Sequence, residues 1–287
     1  MNILRLRNRQ TFVLVILFLL TVALWALFIV RTGFAGTYEG PDFEFLLKPF
    51  LIGMTVIPLV GGGFGLLNAL HWGGIRSVVG RALASLSLGT IAWGLGMVVW
   101  NYYLFFTDVE VPYPSLADAI FICSWPLWTY GIYELAKVGG AKFALRGQGS
   151  KIPLLLAPLL MAALSYYLVI TVARGGVIGL DGGAVKGFFD LFYPLGDIVI
   201  ASATLLAFIL SRKLLGGIYR KAVLVLFAGF MMNYVSDIVF SYTTTMETYF
   251  NGHLVDLFFT TTMFTLALGL TMFRPDVSNQ ETGTNRK

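Results

Sequence analysis

The sequence predicts an all-α, polytopic bundle of about eight transmembrane helices, and three observations predict it. Hydrophobic residues make up 57% of the 287 residues and charged ones 12%, about half the charge that soluble domains carry. Apolar runs of about twenty residues, each long enough to cross a bilayer, recur along almost the whole chain. The basic residues cluster in the short connections between those runs.

The first run, Thr11–Val30, follows Arg5, Arg7 and Arg9. It is longer than the apolar core of a cleaved signal peptide and no small-x-small site follows it, so it is expected to stay as a helix. The remaining helices are expected at Pro49–Leu70, Ala82–Phe106, Asp118–Ala136, Pro153–Ala173, Phe188–Leu210, Ala222–Thr245 and Leu254–Phe273. Together they form one transmembrane domain over 1–273, followed by a polar tail, 274–287, expected to be disordered.

Charge placement sets the expected orientation. With the N-terminus inside, 16 of the 20 Lys and Arg residues fall on the cytoplasmic side. Only Arg31, Lys48, Arg174 and Lys186 fall outside. That asymmetry is the positive-inside pattern, and removing one helix would destroy it. Both termini are therefore expected in the cytoplasm, with the protein a multi-pass component of the cell membrane. The net charge of +5 is topology signal, so the bilayer is the expected partner and nucleic acid is not.

Several chemistries lack their residues. Gly61-Gly62-Gly63-Phe64-Gly65 has no Lys-Ser/Thr after it and sits in an apolar run, so it reads as close helix packing or a local break rather than a phosphate loop. Gly89, Ala92 and Gly96 suggest a second close contact. His71 and His253 are expected at opposite membrane faces, too far apart to share a metal or haem. No lysine falls inside the expected runs to carry a Schiff base, and no hydrolase motif occurs. Cys123 is the only cysteine and reads as a packing residue. No catalytic residue, metal site or cofactor is assigned.

Acidic residues carry the chemistry that remains. Asp190, Tyr193 and Asp197 recur at helical spacing on one face of the sixth expected helix. Asn233 and Asp237 share a face of the seventh. Counted from the expected helix ends, Asp197 and Asp237 each lie about 13 Å inward, so they reach similar depth on consecutive helices. A carboxylate at mid-bilayer costs about 3 kcal/mol, which argues for a cavity between them. Asp118 and Asp256 open helices and read as N-terminal caps. Trp93, Trp125, Tyr193 and Tyr234 lie too deep for an interfacial belt and suit packing or a pocket wall. Asn101, beside Trp100, joins the candidates for ligand or ion binding.

Val111-Pro112-Tyr113-Pro114-Ser115-Leu116-Ala117-Asp118, then Trp125-Pro126-Leu127, resembles a pattern in the multi-helix membrane sensor regions of prokaryotic signalling proteins, as found ahead of diguanylate-cyclase or histidine-kinase domains. Tyr193-Pro194-Leu195-Gly196-Asp197 and Asp237 resemble its later part. The resemblance implies a sensor with an outward-facing acidic and aromatic pocket. No output domain follows the last expected helix, so signalling would pass to a separate cytoplasmic partner. Pro126 and Pro194 would kink helices able to move on binding. The alternatives are a proton- or cation-coupled transporter using Asp197 and Asp237, an intramembrane aspartyl protease, or a structural or assembly protein. Leu195-Gly196-Asp197 resembles part of the Gly-x-Gly-Asp protease signature, but Pro194 replaces the first glycine.

Overall fold

In a computed structural model the chain is described over residues 3–33, 40–107, 111–138, 151–173, 175–176, 183–211 and 219–273. All regular structure among these residues is helical. In order come α1 (Ile3–Thr32), α2 (Lys48–His71), α3 (Val78–Phe106), α4 (Leu116–Ile122) and α5 (Ser124–Val138). Then follow α6 (Lys151–Ser165), α7 (Gly183–Ser211), α8 (Arg220–Thr245) and α9 (Leu254–Met272). A π-helical turn, Phe43–Leu47, leads into α2, and another, Tyr166–Ala173, extends α6. The expected polar tail lies outside the described residues.

Seven of the helical stretches are long and apolar enough to cross a membrane: Arg9–Thr32, Phe43–His71, Val78–Phe106, Leu155–Val172, Ala184–Ile209, Arg220–Thr245 and Leu254–Met272. They make a multi-pass membrane protein. The expected single helix at Asp118–Ala136 is instead two short ones, α4 and α5, which meet at Cys123. Pro126 explains the break: it has no N–H for the Ile122 carbonyl, and its ring clashes with that carbonyl if the helix continues. Cys123 closes the last turn of α4 by donating its N–H to the Ile120 carbonyl at 3.1 Å.

Despite the break, α4 and α5 run antiparallel to α3 along its length. Phe121 lies on Gly96, Trp128 on Gly89, and Gly131 on Leu86. Ser85 donates to the Leu127 carbonyl at 2.7 Å. The register ends where Arg81 meets the buried Glu134 at 3.3 Å, and Lys137 pairs with the same carboxylate.

The core lies where α2, α3 and α9 meet α5 and α8. Gly61 faces Ala267, and Gly65 faces Ser87 and Leu270; a Cβ at either glycine would overlap those side chains. The glycine run therefore brings α2 against α9 and α3, and α2 continues through it unbroken. In lipid such contacts rest on van der Waals packing and interhelical hydrogen bonds. Asn68 adds one of the latter, donating to the Leu270 carbonyl at 2.9 Å. By contrast α1 and α6 lie at the periphery, with Leu19, Leu20, Leu155 and Leu160 exposed as lipid-facing residues are.

Candidate functional site: a one-ended acidic and aromatic cavity

A cavity of about 500 Å³ opens at one end of the bundle, a volume suited to a small organic ligand. It lies where α3 and α8 end and where α2, α4, α7 and α9 begin. On the deeper side the bundle is filled by Leu86, Ile132, Leu226, Phe230, Leu266 and Leu270, each no more than 1% exposed. Trp128 forms part of the floor, its ring edge-on to Phe230 at 5.6 Å.

At the centre of the wall stand Asp197 of α7 and Asp237 of α8. The two carboxyl groups are immediate neighbours. Asn233, one turn before Asp237, donates its amide to Asp237 Oδ2 at 2.6 Å. The helix positions explain this meeting only in part. Helix α7 begins at Gly183 rather than at Phe188, so Asp197 lies about 21 Å along it, while Asp237 lies about 12 Å from the end of α8. The two meet because α7 extends about 9 Å, nearly two turns, beyond the end of α8.

The aromatic wall is built on close approaches. Trp125 lies flat against Gly196, where a Cβ would come within 2.7 Å of its ring, and stands edge-on to Tyr193 at 4.9 Å. Trp93 tilts against Phe121 and Phe259 at 5.6 and 5.8 Å. The mouth is braced by polar groups. Tyr193 donates its phenol hydrogen to Asp118 Oδ1 at 2.7 Å, while Asp118 Oδ2 accepts the Ser115 backbone N–H at 2.7 Å. Asp256 accepts the Gly252 N–H at 2.6 Å and the Tyr249 hydroxyl at 3.1 Å. Trp100 donates to Asn251 at 2.9 Å.

Of the residues expected from sequence, Trp93, Trp125, Tyr193, Asp197, Asn233 and Asp237 all line the cavity. Asn101 does not: it donates to the Thr55 hydroxyl at 2.8 Å and ties α3 to α2. Neighbouring positions on a helix point about 100° apart, so Trp100 faces the cavity and Asn101 turns away. Asp190 belongs to α7, but its side chain lies outside the described residues. Tyr234 is a packing residue, bonded to Ser165 at 2.7 Å. Asp118 and Asp256 cap their helices as expected and also line the cavity.

Lys186 corrects a further expectation. It sits in the first turn of α7 and lines the cavity, whereas the sequence placed it in a loop. The expectation that no lysine falls inside an apolar run therefore fails at Lys186, which lies within the span Ala184–Ile209. Among the described residues no three His, Cys, Asp or Glu side chains are placed to share a metal ion. No family model, curated protein or solved structure matches the chain.

Proposed function

We propose that the chain is a receptor-like sensor of the cell membrane whose cavity faces outward and whose signal passes to a separate cytoplasmic partner. In this reading α4 and α5 together make an eighth crossing, and both termini are cytoplasmic. One observation carries it: the acidic and aromatic cavity opens at a single end, above a floor of fully buried side chains. Arg76, Arg81, Lys137, Arg220 and Lys221 cluster at the other end, which suits the cytoplasmic face and offers a basic surface to a partner. The break at Cys123 and the proline in α7 give the cavity walls joints that ligand contact could shift.

A second reading, a proton-coupled carrier, is favoured by the adjacent Asp197–Asp237 pair alone. Accessibility separates the two. In a Cys123→Ser background, a membrane-impermeant thiol reagent applied to intact cells should label Thr244→Cys at the cavity mouth and spare Ile75→Cys at the opposite end. In inverted vesicles a receptor leaves Asn233→Cys unlabelled. A carrier passing through an inward-open state would expose it.

A further inference from the structure

Two buried acceptors of the cavity lack a donor among the described residues. Asp197 is 7% and Asn233 3% exposed, and both line the cavity. Asp197 Oδ1 and Asn233 Oδ1 have no hydrogen-bond partner among the described residues. Leaving such atoms without a donor costs about 1–3 kcal/mol each, and proteins seldom retain that cost at packed positions. The deficit is therefore specific: two acceptor oxygens beside one carboxyl pair, with no donor to them among the described residues.

Charge points the same way. Among the described residues four carboxyl groups line the cavity, from Asp118, Asp197, Asp237 and Asp256, against one ammonium, that of Lys186. Lys186 stands eleven residues before Asp197, about 16 Å higher on α7, beyond the reach of its side chain to the pair. The lining also includes the rings of Trp93, Trp125 and Phe259. Aromatic faces carry negative potential and attract cations, most strongly where water is excluded.

We propose that this cavity takes an organic cation, an ammonium group on an apolar body. Its N–H groups are donated to Asp197 Oδ1 and Asn233 Oδ1, and its body lies against Trp93, Trp125 and Phe259. This identifies the ligand class of the receptor reading above and rests on it. A carboxylate ligand would meet like charge, and a neutral one would supply fewer donors and no cation for the ring faces.

The test uses the full chain in lipid nanodiscs and three probes of one shape: 2-phenylethylamine, 2-phenylethanol and 3-phenylpropionate. Isothermal titration against empty nanodiscs separates saturable binding from partitioning into lipid. The amine should bind at one site per chain, at least about tenfold more tightly than the alcohol, as a charge-assisted hydrogen bond implies. The carboxylate should not bind. Asp197→Asn should remove that preference while leaving the alcohol unaffected; if this variant does not fold, Asn233→Thr serves the same purpose. Equal or tighter binding of the alcohol or the carboxylate overturns the organic cation while leaving a receptor cavity. Absence of saturable binding by all three overturns the binding cavity itself, and the receptor reading with it.

Discussion

Tyr193 and Asp118, 75 residues apart in sequence, are joined by a hydrogen bond of 2.7 Å that ties α7 to the first turn of α4 across the mouth of the cavity. The same carboxylate caps α4 through the Ser115 N–H. One side chain thus fixes both the start of a helix and its distance from the opposite wall. Tyr193→Phe removes only the cross-brace. It should lower unfolding stability in detergent by about 1.5–3 kcal/mol, the range for a hydrogen bond to a charged group. Asp118→Ala removes the cap as well and should cost about 1 kcal/mol more. Equal losses for the two variants would mean that the cap contributes nothing.

At the other end of the bundle, Glu134 is 2% exposed and holds both Arg81 and Lys137. Glu134→Ala leaves two partly solvated cations without their counter-ion and should destabilise by about 1–3 kcal/mol. Arg81→Ala leaves Lys137 in place, and Arg81 is itself partly solvated, so its loss should be the smaller. Unfolding midpoints of the two variants check the order, and a larger loss for Arg81→Ala would reverse it.

His253 supplies a pH dependence outside the spanning helices. Its ring nitrogen accepts the Val255 N–H at 3.3 Å and caps α9, and partial burial lowers the imidazole below its ordinary value. The folded state therefore prefers the neutral ring, which is the form able to accept. The contribution is fully present above the ordinary value of about 6.5 and is lost as pH falls below it. His253→Asn, a good cap that does not titrate, should flatten the fall in thermal midpoint between neutral and mildly acidic pH relative to wild type. An unchanged slope would show that the ring does not act as a cap.

Much of this arrangement was legible in the residues. Hydropathy found the seven long helices because each apolar run matches the thickness of a bilayer, and helical spacing put Tyr193 and Asp197 on one face and Asn233 and Asp237 on another. The break at Cys123 was less visible: Pro126 signals a kink, but whether a proline bends or interrupts a helix depends on its surroundings. Lys186 was misplaced because a lone charge at the end of an apolar run reads as loop, whereas α7 begins at Gly183 and takes Lys186 into its first turn. Asn101 was misjudged by adjacency to Trp100, since neighbours in a helix face different partners. The Asp118–Tyr193 and Trp100–Asn251 bonds could not be read at all, because both join segments far apart in sequence and depend on the packing of α3, α4, α7 and α9.

The claim that matters most is that Asp197 and Asp237 are placed for binding rather than for holding α7 to α8. Ligand-independent unfolding of Asp197→Asn and Asp237→Asn tests it most directly. An asparagine amide can still donate to the remaining carboxylate, and each substitution removes an acid from a buried, water-poor site. Binding sites commonly retain such groups at the expense of stability. Both variants should therefore unfold within about 1 kcal/mol of wild type or prove more stable. A loss of about 3 kcal/mol or more in both would contradict the account, because the pair would then be a structural tie between two helices.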